Sequence, residues 1–231
     1  MKTGIGLLFI LCIYTSFAQT PSSGTVIVRA QAPPPVYLRD VFSTPFESKP
    51  YAGIQGSPYI GDGWLLAQLK VEGNNERIDS ILIKLNIYSN KIHFRNENGE
   101  EMQTTLRVEE IKIIDSSSTL LNTTFLSSFE QDAAFFEVLA DGGKLKLLRK
   151  HRVDIWETKP LGSEVQRRFE PRSELFFSSD RILFHASKNC STIRDAFRNN
   201  EKMFSYISAN NIRCNKEEDM RKLIAYYTTL K

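Results

Sequence analysis

Within the nine residues Lys144–Arg152 the chain carries five Lys or Arg and one His: Lys144, Lys146, Arg149, Lys150, His151 and Arg152. Cations at this density could hold an anion through their summed field, with Lys144, Lys146, Arg149 and Arg152 as its ligands. They could equally form the wet face of a strand, where Lys also discourages edge-to-edge association. The surrounding pattern favours the strand. Phe135–Leu139 is apolar, Asp141-Gly142-Gly143 reads as a turn, and Lys144–Trp156 reads as a long strand. Leu145 and Leu147 then face one way and Lys144 and Lys146 the other. The alternation slips after Leu148, which predicts a bulge or bend.

Other residues that could do chemistry do not converge. Gly56-Ser57-Pro58 lacks the Gly-x-Ser-x-Gly pattern of a nucleophile elbow, and its proline removes a donor that an oxyanion hole uses. His93, His151 and His185 fall on three different expected strands. His93, between Ile92 and Phe94, is expected to point with Lys91 and Arg95 away from the apolar face, where two cations oppose a metal. Asn96–Glu100 lacks the acidic first ligand and the distal glutamate of a calcium loop. Glu109 and Glu110 are strand neighbours and point to opposite faces. No Cys-x-x-Cys pair and no glycine-rich phosphate loop occur. Trp64, Trp156, Phe135, Phe136, Phe176 and Phe177 are read as core rather than as a pocket lining. No catalytic residue, metal or cofactor is expected.

The elements that must position these residues fall into four stretches. Residues 1–18 read as an export signal, with Lys2, an apolar Ile5–Tyr14 and small residues before Gln19. Leu11 before Cys12 argues against lipid attachment. Residues 19–57 read as a Pro-rich arm or linker with one short strand at Thr25–Arg29, since seven of the nine prolines lie between Pro21 and Pro58. Residues 58–186 read as a β-rich domain. Ile81, Ile83, Leu85 and Ile87 recur at spacing two within Ile78–Tyr88, and Asn98-Gly99 predicts a type I′ hairpin. Thr104–Ile114 reads as one strand, and Ser173–Phe177 with Arg181–His185 as a hairpin. Residues 187–231 switch to helical spacing, with helices over Ser191–Arg198, Asn200–Ala209 and from Asn215, where Glu218 suggests a capping box. Cys190 and Cys214 survive removal of the signal as an even pair. A disulfide is expected between them, with two reduced thiols as the alternative.

The net charge is +3, too near balance for a dedicated nucleic-acid binder, and no later segment is apolar enough to span a membrane. The stretches GSPYIGDGWLLAQLKV, ILIKLNIYSNKIHFRN, FFEVLADGGKLKLLRKH and EEDMRKLIAYYTTL resemble a group of exported proteins of Bacteroidetes-type bacteria over about residues 56–231. The resemblance implies export and a single unit from sheet to C-terminal helices, and assigns no catalytic residue. The expectation is an α+β protein: a mostly antiparallel, curved sheet or open barrel followed by a small C-terminal helical unit. Its location is periplasmic or extracellular. Its role is binding an envelope protein, or a structural one, rather than catalysis. A carrier of an apolar, lipid-like ligand is the alternative, and an unrecognised hydrolase a distant one.

Overall fold

The computed structural model describes residues 43–73, 77–127, 134–162, 164–180, 182–188, 190–196 and 200–230. The expected leader at 1–18 and the strand at Thr25–Arg29 lie outside them. Among the described residues twelve strands form one sheet: β1 Ser43–Pro45, β2 Ile54–Gln55, β3 Tyr59–Val71, β4 Arg77–Asn86, β5 Lys91–Arg95, β6 Glu101–Thr104, β7 Val108–Ile113, β8 Thr124–Leu126, β9 Phe136–Gly142, β10 Leu145–Thr158, β11 Gln166–Ser179 and β12 Ile182–His185. Helices α1 Ser191–Ala196, α2 Glu201–Ala209 and α3 Glu217–Thr228 follow. The sheet order is β1-β6-β5-β4-β3-β7-β8-β9-β10-β11-β12, antiparallel throughout except that β2 lies parallel to β11. The sheet is curved and does not close, so the fold is the expected α+β arrangement.

Alternation explains most of it. Leu65, Ala67 and Leu69 on β3, Ile81, Ile83 and Leu85 on β4, Ile92 and Phe94 on β5, and Ile111 and Ile113 on β7 fill one buried cluster. Leu145 and Leu147 instead meet Phe177 and the helices, in a cluster with Ile193, Met203, Ile207, Met220, Leu223 and Ile224. Cys190 and Cys214, joined by a disulfide with Cα atoms 5.1 Å apart, lie in the same cluster. The bridge ties the loop before α1 to the loop before α3.

Several expectations need correction. Residues 43–55, within the stretch read as an arm or linker, form a strap on the sheet: β1 pairs with β6, a 3₁₀ turn spans Lys49–Tyr51, and β2 pairs with β11. Thr104–Ile114 is two strands, β6 and β7, broken at residues 105–107. The Asn98-Gly99 turn is not type I′, because only Gly99 has positive φ, at 81°. Asn96 organises that loop: its Oδ1 accepts from the N–H groups of Asn98 and Glu100. Helix α3 starts at Glu217 with Lys216 as N-cap, not at Asn215. Asp219 reaches back from its first turn to accept from the Arg213 N–H at 3.1 Å.

The bulge expected after Leu148 is present one step earlier, between Leu147 and Leu148, and on the partner strand. The extra residue sits on β9, where the register steps between Leu147↔Ala140 and Leu148↔Val138. On β10 the alternation continues, so Leu145, Leu147, Arg149, His151, Val153 and Ile155 share one face. Leu148 looks apolar out of turn because it meets Phe136, Phe176 and Leu183 in a small cluster on the opposite face.

Candidate functional site

The basic run divides between the two faces of β10. Lys144 is exposed at the hairpin turn. Lys146 pairs with Asp141 and Arg152 with Asp154. Arg149 points inward by alternation, hydrogen-bonding Glu137 at 3.1 Å and also pairing with Glu217 of α3. The four cations proposed as anion ligands therefore do not converge, and three of them already hold carboxylates. Lys144 and Lys146 line an open groove of about 380 Å³ with Glu109, Glu110, Ser127 and Ser178. Lys146 also lines a second groove of about 560 Å³, beside Arg77, Glu110 and Asp141. Both signs of charge are present in each, which suits neither a simple anion nor a simple cation.

Arg149 belongs instead to a polar seam. Glu137, directly across from Arg149 on β9, also accepts from His151 Nε2 at 2.8 Å. The seam interrupts one sheet face between the helix-side cluster and the main core, which resumes at Val153 and Ile155. Burial alone would raise the Glu137 carboxyl, but the His151 hydrogen bond and the Arg149 charge outweigh it and hold the carboxyl below its usual range.

A second histidine–glutamate pair lies beneath the strap. His93 is 0% exposed, although it points, as expected, with Lys91 and Arg95 away from the apolar face. Its face is the expected one, opposite Ile92 and Phe94, but that face is covered. The Phe46 ring of the strap sits 4.2 Å from the imidazole, and Tyr59 lies edge-on at 5.4 Å. His93 Nδ1 meets Glu101 Oε1 at 2.8 Å, Tyr59 Oη donates to the same oxygen at 3.3 Å, and Lys84 Nζ holds Oε2 at 3.0 Å. Behind the ring, Asn86 Nδ2 stands 3.5 Å from Nε2 and donates to the Tyr51 hydroxyl at 3.0 Å. Tyr51 in turn packs edge-on against Tyr88 and Phe169, fixing the strap at its middle.

Local backbone builds this cluster. Four residues, 61–64, face the single Lys84 between Ile60↔Leu85 and Leu65↔Ile83. Gly61 and Gly63, at φ 76° and 98°, allow the bulge. It brings Trp64 over Lys84, whose ammonium is 4.5 Å from the indole and 5.1 Å from the Tyr59 ring, while Arg95 covers Trp64 at 4.8 Å.

Electrostatics here set which groups carry protons. Burial lowers the His93 pKa, against the pull of Glu101, so the ring is neutral at neutral pH. Glu101 would be raised by burial, but hydrogen bonds from His93 and Lys84 and the Lys84 charge leave it lowered and ionised. Burial, then the Glu101 charge, push the Tyr59 hydroxyl well above its ordinary value, so it stays a donor. The Asn86 amide orientation fixes the tautomer. Its Oδ1 accepts from the N–H groups of Tyr88 and Ser89, so Nδ2 must face His93. Nε2 is then the acceptor and Nδ1 carries the hydrogen that goes to Glu101.

Among the described residues no group of three or more His, Cys, Asp or Glu could hold a metal ion. Each histidine has its own carboxylate, His185 meeting Glu174 at 3.8 Å. No known family model, curated protein or solved structure matches this chain.

Proposed function

We propose that the protein is an exported component of the bacterial envelope that binds a partner protein rather than catalysing a reaction. The Cys190–Cys214 disulfide suits an oxidising compartment. Among the described residues no helix is long and apolar enough to cross a membrane. The observation that carries the binding role is the far end of the β10–β11 ribbon. β9 pairs with β10 only as far as Lys150, whereas β11 pairs with it to Thr158. Among the described residues, 151–158 therefore present a strand edge with no strand neighbour on that side. Trp156, Leu161 and Val165 are exposed beside it, Leu161 fully at 104%.

A strand edge offers main-chain donors and acceptors that another polypeptide satisfies and a lipid does not. That distinction favours a protein partner over an apolar ligand. The carrier reading needs an enclosed apolar hollow, whereas the buried sheet face is filled by Leu69, Ile83, Phe94, Ile111 and Phe125. The test is a photo-crosslinking side chain placed at position 156 or 161 of the full exported chain, with position 202 on α2 as control. One protein should be captured from both ribbon positions and not from the control. Adducts to lipid, or none at either ribbon position, would overturn the reading.

A further inference from the structure

The geometry points to a proton-operated latch: a proton added to His93 Nε2 breaks the His93–Asn86–Tyr51 chain and frees the 43–55 strap from the sheet. In the neutral state Nε2 offers a lone pair to Asn86 Nδ2, and the same amide nitrogen holds the Tyr51 hydroxyl. Protonated, the ring has hydrogens on both nitrogens. The Nε2 hydrogen then points at the amide hydrogens of Asn86 inside a site without exposure to water. Turning the amide over would relieve that contact only by aiming Nδ2 at the Tyr88 and Ser89 N–H groups that Oδ1 now serves. The first arrangement leaves a buried donor facing a donor; the second takes the acceptor from the half-buried Ser89 N–H and leaves the Tyr88 N–H only the Pro58 carbonyl at 3.3 Å, and both are unfavourable.

The charges around the ring do not cancel this. Glu101 from β6 is already satisfied by Nδ1–H, the Tyr59 hydroxyl and Lys84. Lys84 from β4 is a like charge for an imidazolium, and it lowers the proton affinity of the ring. Tyr59 from β3 donates to Glu101, and the Tyr51 hydroxyl of the strap accepts from Asn86. On its own strand Arg95 is turned onto Trp64 and Lys91 is exposed.

The strap is the element that yields. β1 pairs with β6 over three residues, extended by the Phe46 N–H to the Glu101 carbonyl at 3.0 Å, and β2 pairs with β11 over two; Phe46 on the imidazole, Tyr51 between Tyr88 and Phe169, and Ile54 against the core add to the hold. Two of those rings touch the groups that protonation displaces. Its release uncovers the outer edge of β6, a second site able to accept a strand.

Hydrogen exchange of the full chain, corrected for intrinsic rates, tests the latch. Between pH 7.5 and pH 5.5 exchange in 43–55 and 101–104 should rise about tenfold, while α3 and β7 stay protected, since each pH unit below a titration changes the population about tenfold. His93→Gln should abolish the response and His151→Gln should keep it. Asn86→Asp supplies an acceptor for Nε2–H and should hold the strap at pH 5.5. The histidine ¹⁵N shifts of the unmodified protein at pH 7.5 should show His93 protonated at Nδ1 alone, a readout that needs no variant to fold. An Nε2–H tautomer, unchanged strap exchange, or an acid response that survives His93→Gln would overturn the proposal.

Discussion

His93 meets Glu101 through Nδ1 and His151 meets Glu137 through Nε2, both at 2.8 Å from ring nitrogen to carboxylate, on strands of one sheet. They differ in what stands behind the ring. His151 keeps 20% of its side chain exposed, and its glutamate shares Arg149, which also reaches Glu217 on α3. A lost partner there can be replaced by water or by the neighbouring charge. His93 has no exposure, its other nitrogen is committed to an amide, and that amide is committed to a turn and to the strap. The His151 pair is a joint between two hydrophobic clusters. The His93 pair is a chain whose links have no substitutes. The density of charge along the sequence marks the His151 pair, while burial and the saturation of hydrogen bonds single out the His93 pair.

The sides of the molecule also differ in how they are tied. The seam's outer wall, α3, belongs to the helical unit that the disulfide fastens, whereas the strap has no covalent tie among the described residues. Removing the bridge with Cys190→Ser and Cys214→Ser should cost about 3 kcal/mol of unfolding free energy, measured by urea denaturation. It should loosen α1–α3 and leave strap protection unchanged. Loosening of the strap instead would show that the two regions are coupled.

Next in size is the glutamate pair. Glu101→Ala strips three donors, those of His93, Tyr59 and Lys84, in a partly buried site, and should cost about 2 kcal/mol. Glu137→Ala leaves Arg149 its bond to Glu217 and leaves His151 within reach of water, and should cost about 1 kcal/mol. Equal losses in denaturation midpoint at unchanged slope would erase the distinction between joint and chain.

Much of the sheet was legible because period-two hydrophobicity reports a face directly. Ile81, Ile83 and Leu85 land where the alternation puts them, and the β11–β12 hairpin and the cysteine pair follow from local signals. What alternation does not report is which distant segment covers a face. His93 was placed on the correct side of β5, but its cover comes from Phe46 and Tyr51, some forty residues upstream in a proline-rich stretch that reads as a linker. Arg149 and His151 were misjudged for the converse reason. They keep the strand's rhythm on an inward face, but polar side chains in an apolar register look like a broken pattern until Glu137 and Glu217 are seen to meet them. The ribbon end was missed as well: Trp156 reads as core, and its exposure depends on β9 ending before it.

The smallest effect is the response of stability to mild acid. Burial lowers the His93 pKa below that of the unfolded chain. From about pH 6.5 downward the unfolded chain therefore takes up a proton that the folded protein refuses, and stability falls until the folded pKa is reached. Glu101 and Glu137 are both lowered, so the stability they supply is present above the unfolded carboxylate range. It is lost only as pH falls through their folded values, in a more acidic window. Denaturation midpoints between pH 7.5 and pH 5.5 thus report on His93 apart from the two glutamates. His93→Gln should flatten the profile across that interval and leave the acid limb below it, whereas His151→Gln should leave the upper slope in place. A slope that vanishes with His151→Gln and persists with His93→Gln would move the proton-sensitive position from the strap to the seam.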